Sequence, residues 1–399
     1  MPVAVVLVLS GCWLQPGADP HRSGHNQREN GLTVDNVATL TQAWSVSVGT
    51  GPVDAPVVSG LGVFATSDTH LASYRLDTGA QIWRVDASPI EGVVGYPEPP
   101  RVRGDELRVP VVIPFRGASY TAVYDARTGT RSEGGTHFGL VTLDGDTLIA
   151  TESRVLGTDY IQPYLHSTDL ADPSQSWEVL YPGGNLESAV SDEWIISILG
   201  TAVNAFPRSG PSPDLCEQVG EGIIGCRPAW SVTLGGQVTA PAISDDGQTV
   251  FVGDVTGTLS ALNIADGTTR WTSTVGAGRR IFATPTVGDG SVFVTTEDGY
   301  VFAFGAGGCD DEPPCDARWV SGPADGPVRQ QAALAGGVLY VAANDGSIRA
   351  FDAGGCVSYC NPLWQTFVGR AITGAPAVAR GHLVVGTTDG RLIAFAPAA

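Results

Sequence analysis

The sequence predicts an all-β chain, an eight-bladed β-propeller closed by its N-terminal strand, and three observations carry that prediction. A tryptophan-led segment recurs along the chain. Each copy alternates apolar and polar residues over four or five positions, the period of a half-buried strand. Asp-Gly and Thr-Gly dipeptides separate these runs and supply the positive φ of tight hairpins. A four-stranded sheet cannot bury both faces alone, and radial repetition lets its neighbours cover them. No long helical period competes.

In chain order, residues 1–11 form an apolar run too short to span a bilayer as a helix, with small residues ahead of Cys12, as at the core of a signal peptide. The stretch Leu9-Ser10-Gly11-Cys12 resembles a bacterial lipobox. That resemblance implies that Cys12 becomes the first mature residue and carries a lipid on the extracytoplasmic face of the cell membrane, although no basic residue precedes the apolar run. Residues 12–40 read as a polar linker and 41–397 as the propeller.

Trp44 leads the first copy, through Asp54-Ala55-Pro56 and Val63-Phe64-Ala65 to Leu76-Asp77-Thr78-Gly79. Two divergent copies follow Trp83. In one, Arg131 stands where the tryptophan is expected; the other regains Trp177. Copies led by Trp177, Trp230, Trp271, Trp319 and Trp364 complete eight. The copy from Trp230 is the clearest, with Thr239-Ala240-Pro241, Thr249-Val250-Phe251-Val252, Thr256-Gly257 and Leu259-Ser260-Ala261-Leu262. The last copy stops at Phe395 without an outer strand. Residues around Trp44 are left to close the ring, so residues 41–48 are expected to matter for stability and 13–38 to be dispensable.

The charge balance excludes nucleic acid as a partner. A phosphate backbone needs a basic patch, whereas this chain carries a net charge of -19 and its basic residues are all arginine, adjacent to one another only at Arg279-Arg280. Cys12 apart, six cysteines form close pairs: Cys216 with Cys226, Cys309 with Cys315, Cys356 with Cys360. Local disulfides are expected, which agrees with export; each should contribute about 2–3 kcal/mol. No histidine lies at ligand spacing for zinc.

The repeat, with its Ala-aromatic strand, Asp-Gly or Thr-Gly turn and Trp, resembles the pyrroloquinoline-quinone-like (PQQ-like) propeller repeat over residues 41–397. Two classes share it: quinone-dependent dehydrogenases of sugars or alcohols, which use PQQ with calcium, and non-catalytic lipoproteins such as outer-membrane assembly factors of the BamB type. The resemblance to quinone-dependent alcohol dehydrogenases implies two adjacent cysteines and a tryptophan floor under the quinone. This chain has no Cys-Cys dipeptide. The expectation is therefore a monomeric lipoprotein that binds a protein or small molecule, without catalytic residues, resident metal or cofactor.

Seven tryptophans at one phase of the repeat read as packing between sheets. Asp68, Asp298, Asp345 and Asp389 read as hairpin-turn residues, and Asp310-Asp311-Glu312 as a solvated loop tip. The strand that contains or precedes proline should be innermost in each copy. Its candidate channel-lining residues are Asp54, Tyr96, Glu187, Thr239, Phe282, Arg329, Gln330 and Thr373, with His137 a looser alignment.

Overall fold

The computed structural model describes residues 11–398, except 69, 87–95, 114–117, 133–139, 157–159, 181–187, 221–222, 310–314 and 358. Eight antiparallel sheets follow one another around an axis. Blade 1 shows the plan: inner strand Val57–Ser59, then Gly62–Ser67 and His70–Tyr74, then outer strand Gln81–Asp86. Blade 5 repeats it with Ala242–Ile243, Thr249–Gly253, Thr258–Asn263 and Thr269–Thr274. Blade 2 is the most divergent. Its inner edge is split into Tyr96–Pro97 and Arg101–Arg103, and Arg131 bridges to Tyr124 at its outer edge.

Ring closure follows the expectation. Leu40–Ser47 pairs with Arg391–Pro397, with Thr41 opposite Ala396 and Trp44 opposite Ala394, as the outer strand of blade 8. The outer tryptophans sit at the seams between blades. Each donates its indole N–H to a carbonyl of the following blade: Trp44 to Leu76, Trp83 to Ala126, Trp177 to Arg208, Trp230 to Ile264, Trp271 to Ala306, Trp319 to Ala353, and Trp364 to Leu40. One side chain thus fills the seam and satisfies a turn carbonyl.

The polar linker expected over residues 12–40 is not what the structure shows, because residues 13–26 line the inside of the ring. They make one circuit, meeting the inner strand of every blade in sequence order. Trp13 N–H donates to Val58 O at 2.8 Å and its carbonyl accepts from Val58 N–H at 2.7 Å, and Leu14 O accepts from Val102 N–H. The Gln15 amide bonds both backbone groups of Leu143. Next, Pro20, His21, Ser23 and Gly24 carbonyls accept from the N–H groups of Val190, Ile243, Val287 and Leu334. Asn26 finally donates to Val378 O at 2.8 Å. At about 3.3 Å per residue this stretch has enough contour for a circle of roughly 7 Å radius. Beyond it, Leu32 and Val37 are fully buried in the core of blades 7, 8 and 1. Six of these contacts are made by the segment's own backbone, and only Gln15 and Asn26 reach the inner strands with their side chains.

All three local disulfides form, Cys216–Cys226, Cys309–Cys315 and Cys356–Cys360. Each lies in the loop between the third and fourth strands of its blade. Asp310, Asp311 and Glu312 lie outside the described residues.

Candidate functional site

The N-terminal circuit divides the axial channel into two chambers. The first, about 390 Å³, opens on the face of the inter-blade loops and is floored by Pro16, Gly17 and Arg22. The second, about 420 Å³, opens on the opposite face against Cys12, His21, His25, Asp144, Asp192 and Asp245.

In the first chamber, the loops that lead into the inner strands supply the walls. Asp54 and Glu98 come from blades 1 and 2, Phe282 from blade 6 and Arg329 from blade 7. The Arg329 guanidinium stands 5.2 Å from the centroid of the Phe282 ring and pairs with Glu297, which also faces Arg280 at 3.9 Å. Phe282 remains 37% exposed. An apolar ring lying beneath a guanidinium is a platform for flat or aliphatic groups, and the acids of blades 1 and 2 give the same mouth negative charge.

The expected lining residues divide accordingly. Asp54, Phe282 and Arg329 stand on the mouth. Thr239 is buried and holds its own strand, accepting from Gly253 N–H at 3.1 Å. Gln330 is buried too and bridges blades, donating to Ile372 O at 2.7 Å and Asn344 Oδ1 at 3.2 Å; both replace lining with internal satisfaction. Thr373 is exposed but outside the walls of this chamber. Tyr96 starts the split inner edge of blade 2, while Glu187 and His137 lie outside the described residues. The repeat pattern missed Glu98, Gln331 and Arg22. Gln331 donates to Arg22 O at 2.7 Å and Pro285 O at 3.0 Å, fastening the floor to the wall. Arg22 is buried with φ 54°, a left-handed conformation rare outside glycine.

In the second chamber, Asp19 accepts from the backbone and hydroxyl of Ser23 and closes a tight turn of the circuit. Burial pushes its carboxyl above the ordinary carboxylate value despite those bonds. His25 is buried between Asp245 and Asp289, at 3.9 and 3.6 Å. A Cβ on Gly288 would stand 2.2 Å from His25 Nδ1, so this turn has room for the ring only as glycine.

The donor sets do not fit PQQ with calcium. Among the described residues neither chamber is walled by tryptophan, six cysteines are in three separate disulfides, and no group of three His, Cys, Asp or Glu stands together as a metal set. The expected turn aspartates serve their turns instead: Asp298 accepts from Thr296, Asp345 from Ser347 and Asp389 from Thr387.

Blade plan, indole seams and strand closure together define an eight-bladed β-propeller. Residues 227–308 match the family model for outer membrane protein assembly factor BamB. Similar solved structures include BamB from Moraxella catarrhalis, with TM-score 0.58 and 16% identity over 90% of this chain and 97% of that one. The computationally designed Ika8 protein gives 0.66 and 14% over 89% and 99%. Quinohemoprotein alcohol dehydrogenase from Comamonas testosteroni gives 0.67 and 12% over 98% and 81%. At such identities the likeness is one of fold. No curated protein matches the chain.

Proposed function

We propose that this protein is an extracytoplasmic, lipid-anchored binding propeller, held through Cys12 and meeting a protein or small-molecule ligand at the mouth lined by Asp54, Glu98, Phe282 and Arg329. The observation that supports binding over catalysis is the circuit of residues 13–26: the chain occupies its own axis and leaves a shallow, charged mouth with an aromatic platform in place of a deep cofactor cavity. Support for the anchor is the lipobox-like stretch ending at Cys12. Two measurements test this reading. Purified protein given PQQ, calcium and an electron-accepting dye should not turn over sugars or alcohols; reproducible turnover would overturn the binding reading. Cys12→Ser should move the protein from the membrane to the soluble fraction, and retention after a salt wash would place the anchor elsewhere.

A second reading, a role in outer-membrane protein assembly, is favoured by the match of residues 227–308. It requires a source cell with an outer membrane. There, loss of the gene would lower the amounts of outer-membrane barrel proteins, which the first reading leaves unchanged.

A further inference from the structure

The face that carries Cys12 is divided by charge. Its turns between first and second strands bear Asp105 in blade 2, Asp144 and Asp146 in blade 3, Asp192 and Glu193 in blade 4, Asp245 and Asp246 in blade 5, and Asp289 in blade 6. The same turns in blades 7, 8 and 1 bear no acid; they read Gly336-Gly337, Arg380-Gly381 and Gly60-Leu61. Cys12 emerges at this second sector. A Cβ on Gly60 would lie 3.9 Å from Arg380 Nη1, and the guanidiniums of Arg380 and Arg28 act on the Cys12 thiol against the upward push of its burial.

Alongside lies a cavity of about 460 Å³ walled by Leu61, Arg75, Ile82, Arg380 and His382, with Asp77 its one acid. Arg28, Arg75 and Arg380 are exposed, and none forms an ion pair among the described residues. Several other arginines are neutralised, Arg103 by Asp146, Arg208 by Asp144, Arg329 by Glu297 and Arg391 by Asp389, and Arg270, Arg318 and Arg349 spend their guanidiniums on hydroxyls and carbonyls. In a chain of net charge -19, unpaired cations gathered around an anchor point, with Ile82 43% exposed beside them, have the chemistry of a surface that meets anionic headgroups.

We propose that the sector of blades 8 and 1 around Cys12 lies on an anionic lipid surface, with Arg28, Arg75 and Arg380 in the headgroup layer and the acidic arc of blades 2 to 6 tilted away. The inference rests on the anchor reading and adds an orientation to it: the ring stands inclined, and its ligand mouth on the opposite face opens away from the membrane. Each arginine near the surface should tighten association about fivefold.

The test uses the lipidated full chain with a fluorophore at Ile82→Cys or, separately, at Gln248→Cys in the acidic arc, on vesicles containing headgroup-level quencher. On phosphatidylglycerol vesicles the probe at 82 should be quenched and that at 248 spared. The contrast should vanish on phosphatidylcholine alone and in the Arg28→Glu, Arg75→Glu, Arg380→Glu variant. Equal quenching at both sites, or a contrast indifferent to charge reversal, would overturn the orientation while leaving the anchor standing. Loss of the contrast on adding inorganic phosphate would assign the arginines to free phosphate and overturn it as well. Failure of the lipidated chain to associate with any vesicle would remove the anchor reading, and the orientation with it.

Discussion

At the scale of single residues, a tryptophan and a glycine hold six of the seven indole seams, the exception being that of Trp364. The indole lies against the glycine of the next blade's turn, close enough that a Cβ on Gly355 would stand 2.1 Å from Trp319 Cδ1, and Gly355 has φ 85°. Gly104 also has positive φ, 57°, but nothing lies within 4 Å of its Cβ position. Gly355→Ala therefore combines backbone strain with a clash and should cost about 2–4 kcal/mol, whereas Gly104→Ala should cost about 1 kcal/mol; denaturant midpoints of the two variants check the difference. Asp19 makes a second prediction. Its folded-state value is raised above the ordinary 3.8, burial being the larger cause, so its ionisation subtracts from stability at neutral pH. That cost is lifted as pH falls through the raised value toward 3.8. The wild-type chain should gain thermal stability relative to Asp19→Asn as the pH is lowered from 7 toward 3.8, and an unchanged gap would contradict the burial of the charge.

At the scale of elements, the three disulfide loops act alike, since each reaches back to the outer strand of the preceding blade. The loop closed by Cys216–Cys226 places Gly225 parallel to Leu180. That closed by Cys356–Cys360 places Tyr359 and Cys360 beside Val320 and Ser321. The Cys315 carbonyl accepts from Ser273 Oγ at 2.6 Å, and its N–H donates to Thr272 O at 3.3 Å. Three exposed edges are thereby covered, and edges left open invite pairing with other chains. Reduction should accelerate amide exchange along Trp177–Leu180 and Trp319–Ser321 while leaving Trp230–Thr233, whose outer edge carries no such loop, at its original rate. Uniform acceleration would show that the loops act through global stability alone. The cysteine pairing was legible because paired spacing in sequence and proximity in space coincide. Edge covering was not, because it depends on which neighbour the loop leans toward.

At the scale of the whole molecule, blade number and closure were readable from the recurrence of Trp44, Trp83, Trp177 and their successors, whose positions obey one phase. The mouth was partly readable: Asp54, Phe282 and Arg329 align by repeat, whereas Glu98 falls in the divergent blade 2 and Arg22 in a stretch with no period. That stretch is the larger lesson. Residues 13–26 look like linker because their polar side chains and glycines have no amphipathic pattern, yet each part of the circuit answers a backbone group on a different blade. Trp13, 1% exposed, packs with the core of blades 7, 8 and 1, and hydrogen bonds worth about 1 kcal/mol each spread around the ring. The circuit also spans the seam between blades 2 and 3, where Arg131 replaces the outer tryptophan and the small core cluster of Val141, Leu143, Leu148 and Ala150 is drawn from blade 3 alone. The direct test of this account is the melting temperature of a chain lacking residues 13–29 but retaining the closing strand 40–47, measured with and without a peptide of residues 12–30 added in trans. Removal of the circuit should lower the melting temperature strongly, and the peptide should recover part of the loss. A truncated chain that melts with the full-length protein and ignores the peptide would show that the segment is the dispensable linker it resembles.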